Sequence, residues 1–350
     1  MKDLVLCTRI FTHGVSQGTA EHTIMTEQRR LLYLSQSDVL ATGLTMKEVI
    51  DVLERVFHEK GQGRTEMPPK IGIYPGCGDS FIHAMPAHIS ALKSAGVKWV
   101  GAFPENHKRG LPYITGLIIL NDPETGLPVS VMDCVWITAM RTGAATAVAA
   151  KYLARPESSV VGVLGCGVQG RSNVEALRVL FPLKKVMAYD IDKGAAERFA
   201  EEIRSRFGLE VVIVDGPKEA VKGCDLVITA GPIMKRPHRS IQAGWLEPGA
   251  FASLVDYDTY WRPDAMKQAS KFCTDDIPQL LLYQQRGYLR DIPPVHADLG
   301  ELVTGKKKGR ESPDERTMTV NLGLALEDMA VAPLVYERAL ENGIGTWLSL

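Results

Sequence analysis

The residues best placed to do chemistry begin at Gly165-Cys166-Gly167-Val168-Gln169-Gly170, which follows the apolar run Val160 to Leu164 and opens a helical pattern. Three glycines at this spacing, between a strand and a helix, do three different things. Gly165 makes a tight turn, Gly167 clears the backbone for a pyrophosphate, and Gly170 lets the helix pack close on the strand. The helix start, with Val168 and Gln169, offers free N–H groups and a partial positive charge to phosphates. Asp190 stands about 20 residues beyond Gly170, at the end of the following strand, where a carboxylate accepts ribose hydroxyls. It would repel a 2′-phosphate, and Ile191 and Asp192 provide no arginine to hold one. The pattern therefore predicts NAD as cofactor. The small residues Thr229-Ala230-Gly231 end a third strand across the same crevice, which places Thr229 and Ala230 beside the nicotinamide.

A second set is upstream. Lys70 follows Met67-Pro68-Pro69, Lys98 interrupts the apolar stretch Gly96-Val97-Lys98-Trp99-Val100, and Arg141 opens an alanine-rich segment. A cation inside an apolar strand is costly to bury without a partner. A bound carboxylate would supply one, so a small carboxylate-bearing substrate is expected. A lysine snorkelling to the sheet edge is the other reading.

These groups need elements to hold them. Thr45-Met46-Lys47-Glu48 is a capping box, and Val49, Val52, Leu53, Val56 and Phe57 give the helix after it one apolar face, with Gly61 as its expected stop and a sheet as its expected neighbour. Short β-prone runs at 70–74, 81–85, 97–103, 113–120 and 129–135 predict a sheet, with a hairpin loop at 121–126. A helix over 138–153 leads to a boundary near Pro156. From Ser159 to Ala230 strands and helices alternate, as in a parallel sheet covered on both faces. The tail predicts a helix over Leu322 to Val335, with roughly the last 25 residues packed back on the first domain.

The expected organisation of the 350 residues is an N-terminal extension, 1–30, then an α+β substrate-binding and dimerisation domain from 31–153 and 325–350, with a Rossmann domain over 154–324. Hydrophobic content of 45%, charged content of 23% and a net charge of −1 suit a globular α/β protein with no nucleic-acid partner. The apolar runs are far shorter than the roughly 20 residues of a membrane span. Six cysteines without CxxC spacing and eight histidines without HxxxH or HExxH spacing point to a reducing, cytoplasmic setting and no metal.

With these residues assembled, the chain resembles the ornithine cyclodeaminase and mu-crystallin family, most closely its archaeal alanine dehydrogenase branch. The segments that carry the resemblance are Ala84-Met85-Pro86-Ala87, Ala95 to Val100, Arg109-Gly110-Leu111-Pro112, Ile119 to Gly126, Val131-Met132-Asp133, Arg141-Thr142-Gly143-Ala144-Ala145 and Gly165 to Gln169. The resemblance implies a homodimer, a substrate carboxylate held by Lys70 and Arg141, and Lys98 beside the reacting carbon, with Thr142 among the cofactor contacts. His83 stands where cyclodeaminases have glutamate and the alanine dehydrogenase branch has arginine, so it is expected to face a different substrate side chain. Residues 229–239 lack the acid that cyclodeaminases carry there, and Asp258 is the candidate acid–base partner. Val255 to Trp261 and Thr319 to Gly323 replace segments usually different in the family, and both are expected to flank the site. The implied activity is NAD-dependent hydride transfer at the α-carbon of a small amino or imino acid. An ornithine cyclodeaminase-type lyase and a crystallin-like NAD(H)-bound binding protein are the alternatives.

Overall fold

Two eight-stranded sheets organise the chain. The computed structural model describes residues 29–76 and 79–350, and most of the expected N-terminal extension lies outside these residues. The first part runs β1 (Arg30–Leu34), α1 (Gln36–Ala41), α2 (Met46–Gly61), β2 (Thr65–Glu66), β3 (Ile71–Ile73), β4 (Phe81–Ile89), β5 (Ser94–Ala102), β6 (Ile114–Asn121), β7 (Pro128–Asp133) and α3 (Val135–Leu153). The second contains β8 (Val160–Leu164), α4 (Val168–Leu180), β9 (Lys185–Tyr189), α5 (Lys193–Phe207), β10 (Glu210–Ile213), α6 (Pro217–Val221) and β11 (Leu226–Thr229). It continues with β12 (Phe251–Leu254), α7 (Pro263–Met266), β13 (Lys271–Thr274), α8 (Ile277–Gln285), β14 (Ala297–Asp298), α9 (Leu299–Val303) and β15 (Thr317–Val320), before α10 (Ala325–Glu341) and β16 (Thr346–Ser349).

The capping box forms as read: the Thr45 amide donates to Glu48 and the Glu48 amide donates to the Thr45 hydroxyl. One detail of α2 differs from expectation: its main neighbours are the helices α3, α9 and α10 rather than a sheet. The helix ends at Gly61 as read, and a Cβ there would collide with the Gly300 carbonyl oxygen, so this glycine also permits the close approach of α9.

Within the first sheet β4, β5, β6 and β7 are consecutive antiparallel neighbours. The two-residue period of a strand sends alternate side chains to opposite faces. One cross-strand row, Met85, Lys98, Ile118 and Met132, is buried. The neighbouring row on the other face carries Ile71, Ala84, Trp99 and Leu117, with Ile71, Trp99 and Leu117 exposed. Helix α10 covers the buried face, and β16 adds to β1, so the tail returns to the first sheet. This helix starts later than read, at Ala325, and runs through Pro333 to Glu341.

The second sheet is parallel throughout, in the order β10-β9-β8-β11-β12-β15-β13-β14. Strand order reverses at β8, which opens a crevice between the carboxyl ends of β8 and β11. β15 inserts between β12 and β13, and this returns the chain to the middle of the sheet before α10 leaves for the first one. The alanine-rich α3 joins the two layers. A Cβ on Gly143 would collide with the Ser172 carbonyl, so the absence of a side chain there sets how closely α3 and α4 pack. One hydrophobic cluster runs continuously from the first sheet through α2, α3 and α4 into the second. No helix of the described residues is long and apolar enough to cross a membrane.

Candidate active site

At the crevice, the three glycines of the loop are used differently. Gly165 has φ +98°, and a Cβ on it would lie 2.5 Å from the Ala230 carbonyl oxygen; one on Gly170 would meet the Gly165 carbonyl. Both are required by the protein's own packing. Gly167 is the N-cap of α4, no side chain caps the helix, and a Cβ there would meet nothing within 4 Å. Its missing side chain opens onto free space at a helix N-terminus, flanked by Val168, which is 61% exposed, and by Gln169. The Asp190 carboxylate accepts from the Cys166 amide at 2.7 Å and the Asp192 amide at 2.9 Å, so it also braces the loop.

Across the crevice, Thr229 is fully buried. Its hydroxyl donates to Asp256 at 2.7 Å and accepts from the Trp261 indole at 3.3 Å. Asp256, pushed up to about 7 by burial, also accepts from the Gly231 amide. Thr229 and Ala230 thus shape the crevice through backbone, since the threonine hydroxyl is already engaged. The Thr142 hydroxyl likewise donates to the Thr138 carbonyl one turn earlier on α3. An open glycine cradle, an uncapped helix start and a carboxylate at the second strand end fit a dinucleotide.

Lys70, Lys98 and Arg141 come together with three carboxylates in a buried ionic chamber. Lys98, on the buried face of β5, donates to Asp328 of α10 at 2.7 Å and lies 2.6 Å from its other oxygen. Arg141, on α3, donates to Glu327 at 2.6 Å, and its Nε lies 3.3 Å from Asp328. Lys70 donates to the carbonyls of Leu322 at 2.6 Å and Gly323 at 3.3 Å, with its ammonium 5.0 Å from the Tyr283 ring centroid. Asp275 follows β13 and accepts from the Gly323 amide at 2.7 Å. Gly323 has φ +76°, and a Cβ on it would lie 2.5 Å from the Arg141 guanidinium. Thr319 to Gly323 therefore flanks the site as expected, and its glycine is dictated by both backbone and space.

Burial sets the electrostatics. It lowers the pKa of Lys98, with Arg141 adding repulsion against the attraction of Asp328. Burial likewise brings Lys70 down to about 7, with Arg141 and Lys98 acting against Asp275. Burial and Glu327 raise Asp275 to about 7, and burial raises Glu327. For Arg141 burial opposes the charge, but Asp328 and Glu327 outweigh it and hold the guanidinium above its ordinary pKa. His83, buried on β4, stacks on Phe81 with ring centroids 4.0 Å apart. Burial, then Lys70, Arg286 and Lys98, bring it down to about 3, so the imidazole is neutral. Among the described residues His83 Nε2 and Glu327 Oε1 are buried without a hydrogen-bond partner.

One reading from sequence changes. The counter-ion of Lys98 is Asp328 of the chain itself, so burying this lysine does not depend on a ligand. Asp258 is held at 2.5 Å by Arg239, which also reaches Asp291. Sequence reasoning missed Asp275, Glu327, Asp328, Tyr283 and Arg286. For Glu327-Asp328 a signal existed, two acids set between Leu326 and Met329 in a helix otherwise apolar enough to be buried. Val255 to Trp261 contributes Asp256 and also Tyr257, which adopts φ +65° and packs edge-on against Tyr283 and Tyr288.

The profile of the ornithine cyclodeaminase/mu-crystallin family matches residues 32–343. The alanine dehydrogenase of Archaeoglobus fulgidus is 37% identical over 324 residues, covering 90% of this chain and 97% of the relative. The structure of Thermococcus litoralis Delta(1)-pyrroline-2-carboxylate reductase in complex with NADH and L-proline superposes with a TM-score of 0.82 at 36% identity, over 90% of this chain and 99% of that one. An archaeal alanine dehydrogenase dimer with bound NAD superposes with a TM-score of 0.82 at 35% identity, over 92% of this chain and 100% of that one. These matches extend over nearly the whole length of the proteins compared, and the chain, whose glycine-loop crevice is joined through α3 and α10 to a chamber of paired charges, belongs to the ornithine cyclodeaminase/mu-crystallin family.

Proposed function

We propose that the protein is an NAD-dependent oxidoreductase acting at the α-carbon of a small amino acid or the corresponding imino acid. One observation carries the reading. The segments leaving the carboxyl ends of β8 and β11 form the glycine crevice, while those leaving β13 and β15 supply Asp275 and Gly323 to the ionic chamber, so one sheet edge serves both. Ligands in such sheets bind outside that edge.

Bound at Gly165, Gly167 and Gly170, with Asp190 on the ribose, NAD(H) supplies the hydride acceptor or donor. Lys70 and Arg141 hold the substrate carboxylate and so fix the α-carbon, which removes much of the entropic barrier. In the oxidative direction the α-carbon loses a hydride and the nitrogen a proton, giving the imino acid, which water converts to keto acid and ammonium. Lys98 takes that proton and returns it in the reverse direction. A lysine lowered by burial can lose its charge, and Asp328 accepts hydrogen bonds from it in its protonated form. His83 faces the substrate side chain as a neutral group.

A homodimer formed through the first sheet is part of this reading. The exposed apolar side chains Ile71, Trp99 and Leu117 on its outer face support it, as does the dimeric state of the archaeal alanine dehydrogenase relative.

Lys98→Ala tests the mechanism. NADH oxidation is followed with pyruvate, glyoxylate, oxaloacetate and cyclic imines, with and without ammonia or methylamine, alongside NADH binding by fluorescence. The variant is expected to bind NADH and to lose about 100- to 10,000-fold in turnover, the range for removing a positioned acid–base group. Undiminished turnover would overturn the reading.

A further inference from the structure

We infer that the substrate carries a second anionic group, a side-chain carboxylate received by Arg286 and His83. This rests on the proposed function and narrows its substrate class.

Lys98 and Arg141 are paired with Asp328 and Glu327, and Asp275 supplies a compensating charge to Lys70. Arg286, which caps the C-terminus of α8, has no ion pair among the described residues. It is held in place by neutral groups, donating to the Tyr74 hydroxyl at 3.2 Å and lying 5.9 Å from the Tyr283 ring centroid. The same ring has the Lys70 ammonium 5.0 Å from its centroid. Arg286 and the carboxylate-binding Lys70 therefore approach the same aromatic ring. Asp79 also lies near this ring of aromatics, facing Tyr113 and Tyr288, but makes no ion pair with Arg286.

His83 supplies the second half. It is 4% exposed, and its Nε2 is buried without a hydrogen-bond partner among the described residues. The strand register puts it on the same face as Lys98, one diagonal away across β4 and β5. It feels the charges of Lys70, Arg286 and Lys98 together. A buried polar atom left unpaired is costly, and a neutral imidazole N–H beside an uncompensated guanidinium makes an anion receptor. A monocarboxylate held at Lys70 and Arg141 would leave both groups unused, whereas a second carboxylate would accept from both. Exposed Lys235, 5.4 Å from the Tyr74 ring centroid, adds positive potential at the mouth.

The test compares kcat/KM for reductive amination of oxaloacetate and 2-oxoglutarate with that of pyruvate, in the full chain and in Arg286→Ala, Arg286→Lys and His83→Leu. The wild type is expected to prefer at least one dicarboxylate over pyruvate by about tenfold or more. In Arg286→Ala that preference should fall about 10- to 100-fold, the range for a lost charge-assisted hydrogen bond. Arg286→Lys should recover part of it, and His83→Leu should lower it by a smaller factor. NADH fluorescence confirms that each variant is folded. Turnover in which pyruvate matches or exceeds both diacids, or a preference unchanged in Arg286→Ala, would overturn this inference and leave the proposed function standing. No turnover of any keto acid or imine by a protein that binds NADH would overturn the proposed function, and this inference with it.

Discussion

The glycine crevice and the ionic chamber are built on opposite principles. The crevice is made almost wholly from backbone within one short stretch, and its selectivity comes from atoms that are missing at Gly165, Gly167 and Gly170. The chamber is made from charged side chains on β5, α3, α10 and the segments after β2 and β13, with backbone groups of the segment after β15, and its selectivity comes from which charges are already compensated. A substitution in the crevice should therefore act locally, on one ligand. In the chamber it should disturb every neighbour that shared the lost charge.

The sharpest break is Asp328→Ala, which leaves Lys98 without its counter-ion and Arg141 Nε without its nearest carboxylate, all buried. Uncompensated buried charge of this kind costs about 3 to 5 kcal/mol, which urea unfolding should register together with a loss of turnover. Gly167→Ala is the counterpart in the crevice. Since a Cβ there meets nothing within 4 Å, stability should change by no more than about 0.5 kcal/mol. The methyl group would nevertheless occupy space needed by the ligand, and the NADH Kd should rise by about 10- to 200-fold. Equal stability losses in the two variants would erase the contrast. The smallest effect concerns pH. Lys70, lowered to about 7 by burial and by its cationic neighbours, is charged below that pH and neutral above it. Apparent affinity for the substrate carboxylate should be highest on the acid side and fall as pH rises through 7, by at most about tenfold per unit. Lys70→Arg keeps its charge throughout, so its KM profile should be flatter over the same range.

The same contrast explains what could be read from sequence. A strand, three glycines, a helix and an aspartate stand in one contiguous run, and the geometry between them is local, so the crevice was legible. The cations of the chamber were legible as charges out of place among apolar residues. Their counter-ions were not, because Lys98 and Asp328 lie 230 positions apart and no periodicity links them. Asp275 stands in a stretch without any motif. Asp258 was legible as an acid near a motif, but its ion pair with Arg239 was not. Gly61 was legible as the end of α2, but its contact with Gly300 was not, since nothing near Gly61 in the chain reveals it.

Lys98 and Arg141 belong to elements made early in the chain, yet their carboxylates arrive on a helix that follows the entire nucleotide-binding sheet. Until α10 docks, Lys98 on β5 and Arg141 on α3 lack their carboxylates, and desolvating them alone is unfavourable. Closure of that layer is thus disfavoured until Glu327 and Asp328 reach it. Assembly of the reactive centre and consolidation of the first layer become a single late event, so a chain that has closed this layer has also completed its chamber.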